Sequence, residues 1–249
     1  MHVRAQAYWL PKAGNSEDEY EDAYYPETAC ISSASGFRCA VADGATETSF
    51  SALWARLLVR AYCCGSLSSR NLTSALLPLQ REWDEHVAKR PLPWFAEQKA
   101  RQGAYSALVG LSISTVRFGR RIEGRWQALA GGDSCLFQLR GERLVRAFPL
   151  SRSEEFDSRP ALISSHPAAN AGLQSQLRTA TGRWLPGDLF YLMSDALACW
   201  FLRKLEEGLA PRPLPEEVRP EDFLEWIAEL RRHGQLRNDD VTLLRVEVT

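Results

Sequence analysis

Residues 37–44 read Phe-Arg-Cys-Ala-Val-Ala-Asp-Gly, and residues 50–61 read Phe-Ser-Ala-Leu-Trp-Ala-Arg-Leu-Leu-Val-Arg-Ala. The first is a short apolar run closed by the turn pair Asp43–Gly44, which predicts a buried strand over Phe37–Ala42 that stops on a carboxylate. The second places Phe50, Leu53, Trp54, Leu57, Leu58 and Ala61 on one stripe at helical period. Thr48 or Ser49 can cap that helix, and Gly65 sits where it would end. A buried strand that ends on Asp-Gly and feeds an amphipathic helix is the unit around which the remaining elements arrange.

Upstream, Thr28–Ser33 reads as a strand joined to this one by Ser35–Gly36. Downstream, residues 66–104 are helical in character, broken by Pro78, Pro91 and Pro93. Ser106–Phe118 is a long strand, followed by Trp126–Ala130, Cys135–Arg140 and Arg143–Phe148, with a turn at Gly141–Glu142. Pro160–Ser164 predicts another strand, and the small, polar stretch Ser165–Arg183 predicts a mobile loop. Pro186–Gly187–Asp188 turns into a buried strand, Leu189–Met193. Helices over Ala196–Glu206 and Glu221–His233 flank the Pro-rich link Pro211–Pro220, and Val241–Val248 closes as a strand interrupted by Arg245 and Glu247. Strand pairs close in sequence favour antiparallel sheets with helices packed on them, an α+β fold, over a doubly wound sheet. No linker divides the chain, so residues 1–249 read as one domain.

Composition narrows the function. With 30 Lys and Arg against 31 Asp and Glu, the net charge of −1 offers no basic excess for nucleic acid. No apolar run is long enough to span a bilayer, and the N-terminus lacks the apolar core of a secretory signal, so no membrane is expected and the cytoplasm is the expected compartment. Cys30, Cys39, Cys63, Cys64, Cys135 and Cys199 and four scattered histidines lack the spacing of a zinc site. The cysteines read as reduced, mostly buried small hydrophobes. The eight Trp read as core.

Carboxylates gather at strand ends: Glu21–Asp22, Asp43, Asp195 after Leu192–Met193–Ser194, and Asp239–Asp240 just before the last strand. Each alone suits turn or cap chemistry. Together they suit a site for a hard cation, which takes oxygen ligands and offsets the repulsion of converging carboxylates. Glycine at position 44 lets the backbone come close enough to lend a carbonyl.

In order, Glu21–Asp22, Val41–Ala42–Asp43–Gly44, Gly132–Asp133–Ser134, Ser194–Asp195–Ala196 and Asp239–Asp240–Val241–Thr242 resemble the motifs of the metal-dependent protein phosphatases of type 2C, in the form of a bacterial branch. The resemblance runs over roughly residues 14–248. It implies a four-layer α-β-β-α sandwich of two antiparallel sheets, and a protein serine/threonine phosphatase that uses a metal-activated water at a binuclear Mn²⁺ or Mg²⁺ centre. Asp43 would bridge both cations, Gly44 would give a carbonyl to one, and Asp195 and Asp239 would bind the other. Glu21 and Asp22 would hold metal-bound waters, and Asp133 matches a carboxylate linked to a weaker third ion. Phosphorylated proteins would be the substrates, with a cognate Ser/Thr kinase in the same pathway.

The departures are specific. The family commonly places a phosphate-holding Arg where this chain has Glu17, and Lys12 or Arg38 are the candidates to replace it. Ala45 stands where some members have a His, Ala196 replaces the usual glycine, and Cys135 the usual Arg. Arg231–Arg232–His233 and Arg237 form a basic cluster before Asp239, read as charge at a helix C-terminus, with phosphopeptide steering as the alternative. Two other readings stay open: a pseudophosphatase that binds a phosphoprotein without turnover, and a scaffold domain whose acidic residues only make turns.

Overall fold

In the strand Gly36–Gly44, Cys39 and Val41 face one way and Ala40 and Ala42 the other, and all four are fully buried. A strand buried on both faces needs a layer on each side. The computed structural model, which describes residues 1–45, 50–91, 100–118, 121–156, 160–208 and 219–249, supplies both layers. In chain order the elements are β1 (Val3–Leu10), β2 (Ala23–Tyr25), β3 (Cys30–Ser32), β4 (Gly36–Gly44), α1 (Ser51–Cys63) and α2 (Leu72–Ala88). They continue as β5 (Tyr105–Phe118), β6 (Arg121–Gly131), β7 (Cys135–Arg140), β8 (Arg143–Phe148), β9 (Ile163–Ser164), α3 (Leu173–Gln176) and β10 (Arg178–Trp184). Last come β11 (Asp188–Met193), α4 (Asp195–Glu206), α5 (Pro220–Arg232) and β12 (Val241–Val248).

The strands form two antiparallel sheets, one in the order β3-β1-β12-β11-β7-β8 and the other β10-β6-β5-β4-β2 with β9 beside β5. Between them lies a core that includes Cys39, Val41, Val109, Leu111, Trp126, Phe190, Leu244 and Val246. Helices α1 and α2 cover the outer face of the second sheet through Trp54, Leu58, Leu76 and Trp83 against Ala40, Ala42 and Leu108. Helices α4 and α5 cover the first sheet through Leu197, Phe201, Phe223 and Ile227 against Tyr8, Phe137 and Tyr191. The fold is the four-layer α-β-β-α sandwich expected from the sequence.

Several expectations change. The N-terminal stretch is strand β1, second in its sheet and paired along its length with β12. Pro78 does not break α2; the helix runs through it because Leu72, Leu76, Leu79 and Trp83 are buried beneath, and packing outweighs one lost hydrogen bond. The stretch 165–183 is not a loop throughout: it holds α3 and most of β10, which pairs with β6. Gly182 and Gly124 make that pairing possible, since a Cβ at either would lie 2.5 Å from the rings of Trp126 and Trp184. Only Cys39 and Cys135 are fully buried, and Cys64 is exposed. Arg245 is buried in β12 beside Glu247, at 3.2 Å. Thr48, Ser49, Pro93 and most of the 211–220 link lie outside the described residues. Among the described residues no helix is long and apolar enough to cross a membrane.

The Pro186–Gly187–Asp188 turn anchors the far end of β11. Asp188 is fully buried and takes both arms of Arg140, at 2.7 and 2.8 Å, and the amide of Gln138 at 2.8 Å. At the opposite end, β4 and β11 stop, β12 starts and β6 turns into β7, so the acidic strand ends come from both sheets to one mouth.

A tight fit beneath α1 is testable. A Cβ on Gly110 would lie 2.4 Å from the ring of Tyr62, whereas at Gly36 the nearest atom would be 3.8 Å away. Gly110→Ala should therefore cost about 1–3 kcal/mol and lower Tm by several degrees. Gly36→Ala should stay close to wild type in the same thermal melts.

Candidate metal centre

Asp43 continues the inward-facing row of Cys39 and Val41 on β4, so it points into the mouth between the sheets. Gly44 follows it in close quarters: a Cβ there would sit 2.5 Å from the carbonyl of Glu21. Asp195 opens α4 directly after Ser194, and Asp133 lies in the tight turn from β6 to β7, where Gly132 has φ +91°. Asp239 precedes β12, and Asp22 precedes β2. Each proposed ligand therefore sits at the end of a paired strand, where the hydrogen-bonded ladder fixes its backbone.

A polar scaffold joins these ends. The Ser194 amide donates to the Thr242 carbonyl at 3.1 Å, and the Thr242 amide donates to the Ser194 hydroxyl at 2.9 Å. The Thr242 hydroxyl donates to Asp22 at 2.5 Å and therefore accepts from the Tyr20 hydroxyl, also at 2.5 Å. Asp240 spends both oxygens on backbone amides, that of Lys12 at 2.8 Å and that of Glu21 at 2.7 Å. Asn238 clips Ala13 through its amide group, and Arg231 donates to the carbonyls of Pro11 at 3.0 Å and Asp239 at 2.5 Å. The Glu21 carboxylate accepts from Ser51 at 2.5 Å. Tyr20, Ser51, Ser194, Arg231, Asn238, Asp240 and Thr242 thus build the site although the motif reading assigned none of them a role there.

The electrostatics are those of crowded, desolvated carboxylates. Desolvation, reinforced by Asp22, Asp195, Asp133 and Asp239, pushes the Asp43 carboxyl well above its ordinary value. Burial raises Asp22 likewise, with Asp240 and Asp195 adding to it against the Thr242 hydrogen bond. Burial and then the charge of Asp195 bring Asp133 to about 7. Burial raises Asp195 even though Arg237 opposes it. One oxygen each of Asp22 and Asp195 is buried with no hydrogen-bond partner among the described residues. An all-oxygen set with unspent buried lone pairs fits a hard divalent cation. Among the described residues no three acidic, His or Cys side chains close into a ready-made cage, although the carboxylates are near enough to shift one another's pKa.

The two candidates for the missing arginine do not reach the mouth equally. Arg38 lies on β4 opposite Ser112, about 17 Å along the strand from Asp43, and donates to the Tyr62 carbonyl at 2.8 Å. Lys12 lines a cavity of about 660 Å³ beside Glu21, with Arg56, Arg90 and the acidic Glu17–Glu19 turn. Arg237 is not part of a helix terminus, since α5 ends at Arg232; it donates to both Asp195 and Asp239.

The raised carboxyls fix the sign of a pH effect. A group whose folded pKa lies above its unfolded value binds more protons when folded, so its contribution is full below the unfolded value and is lost as pH rises through the folded one. For Asp133 that window runs from 3.8 to about 7. In EDTA, Tm should therefore fall as pH is raised from 5 to 8, and saturating Mn²⁺ should flatten or reverse the trend; a metal-free Tm that rises across this range counts against the crowded site.

Comparison with known proteins bears on the fold and the family. No curated protein matches the chain. Among solved structures, PppA, described as a key regulatory component of T6SS in Pseudomonas aeruginosa, is 20% identical with TM-score 0.56, covering 100% of this chain and 99% of that one. The catalytic domain of the serine/threonine protein phosphatase PstP in complex with two manganese ions is 16% identical with TM-score 0.57, covering 100% and 99%. RsbX in complex with magnesium is 16% identical with TM-score 0.54, covering 100% and 96%. At these identities the likeness is one of fold. The family model described as protein phosphatase 2C matches residues 16–242, and the chain belongs to that family.

Proposed function

We propose that this protein is a metal-dependent protein serine/threonine phosphatase. The observation that carries the reading is the convergence of Asp22, Asp43, Asp133, Asp195 and Asp239 from both sheets at one mouth, where the charges of the other four add to burial in raising the Asp43 carboxyl. Asp43 would hold two cations, Mn²⁺ or Mg²⁺, with the Gly44 carbonyl on one and Asp195 and Asp239 on the other. Glu21 and Asp22 would orient bound water, and Asp133 would serve a third, weaker ion. When bound, such ions supply a nucleophilic water at neutral pH and neutralise phosphoryl oxygens.

The chain's own residues do the positioning. Asp240, with both oxygens on backbone amides, suits a structural post that sets Glu21 and the 12–13 loop, which leaves Asp239 as the ligand of the adjacent pair. The Tyr20–Thr242–Asp22 relay orients the Asp22 carboxylate and leaves its other oxygen for the site. Because the attack comes from water, no Ser or Cys nucleophile is required, and neither buried thiol is activated: burial pushes Cys39 and Cys135 upward. The substrates on this reading are phosphorylated proteins, with a Ser/Thr kinase and its targets as the class of partner. Glu17 in the place of a phosphate-holding arginine favours a second reading, a module that binds metal and phosphoprotein without turnover.

Hydrolysis of an aryl phosphate and of a phosphothreonine peptide, with Mn²⁺ and with EDTA, decides between them. Turnover should require the metal and fall on the order of a hundredfold or more in Asp43→Asn and Asp239→Asn. A Tm gain with Mn²⁺ but no turnover selects the second reading, since a ligand of the native state must stabilise it. Neither gain nor turnover ends both.

The two neighbouring aspartates should also separate. Asp240→Ala should lower the metal-free Tm, at a cost of about 1–3 kcal/mol for the amides it strands. Asp239→Ala strands a single amide and relieves a charge in the crowded site, so it should lower the metal-free Tm less than Asp240→Ala and remove most of the gain on adding Mn²⁺.

A further inference from the structure

Arg237 makes a contact that the motif pattern does not assign. One terminal nitrogen of its guanidinium donates to Asp195 and, at 2.8 Å, to Asp239. Among the described residues it is the one Lys, Arg or His within ion-pair distance of Glu21, Asp22, Asp43, Asp133, Asp195 or Asp239. Its two partners are those proposed to share one metal ion.

The surrounding backbone is pinned while the side chain is largely exposed. Gly234, at φ +65°, ends the turn after α5, and Leu236 is only 4% exposed, packed with α4 and α5. Asn238 is tied to Ala13 in both directions, at 2.7 and 3.2 Å. The Arg237 side chain between them is 61% exposed. Arg231, by contrast, has both terminal nitrogens committed to backbone carbonyls. A divalent ion taken by the same two carboxylates competes with the guanidinium for them, because like charges in one desolvated site repel. The same planar donors that fit a carboxylate fit a phosphoryl group equally well.

We propose that Arg237 is the exchangeable cation of this centre: it holds Asp195 and Asp239 in the metal-free chain, yields them to the metal, and then binds the phosphoryl group in place of the arginine absent at position 17. This rests on the phosphatase reading for its metal and its substrate. It requires no movement of the backbone, since only the side chain changes partner.

The test uses the full chain with Arg237→Gln and Arg237→Lys, read by thermal melts in EDTA, by calorimetric titration with Mn²⁺, and by titration of the Mn²⁺-loaded protein with inorganic phosphate. Arg237→Gln should lower the metal-free Tm, bind Mn²⁺ tighter by on the order of tenfold, and bind phosphate weaker by a similar factor. Arg237→Lys should lie between it and wild type in all three. Unchanged or weaker Mn²⁺ binding in Arg237→Gln, with wild type binding normally, overturns the exchange and leaves the phosphatase reading standing. Tighter Mn²⁺ binding with unchanged phosphate binding overturns the phosphate role alone. A wild type that binds no Mn²⁺ overturns the metal reading and the exchange with it.

Discussion

The repulsion among carboxylates at the open end of the sandwich is the constraint that the rest of the structure answers. Asp22, Asp43, Asp133 and Asp195 all have raised pKa values there, with desolvation as the leading cause. Left to loops, such groups would turn outward to water. Here they are fixed to the ends of strands whose other residues fill three apolar layers. Burial of those layers, at roughly 25 cal/mol per Å² of apolar surface, is a reservoir large enough to hold a few unfavourable carboxylates in place. The fold sustains the site's electrostatic strain, and the site in turn presents unspent oxygens to a cation.

The scaffold around the mouth divides labour between polar groups of the same kind. Asp239 and Asp240 are adjacent and chemically identical, yet one directs its oxygens at a guanidinium and its neighbour's amide, and the other at two distant backbone amides. Thr242 takes one partner through its hydroxyl proton and another through its lone pair. These contacts bind the chain near residues 12–22 to the start of β12, so the outer carboxylates Glu21 and Asp22 inherit the rigidity of the central strands.

Much of this was legible in the sequence where signals are local. The period of Phe50, Leu53, Trp54, Leu57 and Leu58 places α1, and the run into Asp43–Gly44 places the end of β4, because apolar pattern and turn chemistry reside in neighbouring residues. Strand β1 was harder to read. Its eight residues are short and mixed, and their place in the sheet comes from pairing with β12 at the other end of the chain. Strand β10, Arg-Thr-Ala-Thr-Gly-Arg-Trp, carries little apolar weight of its own; it is a strand because Gly182 admits the Trp126 ring. The candidate ligands stood out as acids at strand ends, but nothing local separates Asp239 from Asp240 or lifts Arg237 out of a basic cluster. Those distinctions depend on which groups the topology brings opposite them.

The pairing of β1 with β12 also bears on how the molecule assembles. The amide of Glu21 meets Asp240 across a separation of 219 residues, and that of Lys12 meets the same carboxylate across 228. Contacts of such range form only after a large loop has closed, which makes them late and slow events in folding. The mouth of the sandwich is therefore completed when the ends of this stretch have found each other. Its integrity reports on the cooperativity of the whole, because a fluctuation that parts β1 from β12 dismantles the site from both sides at once.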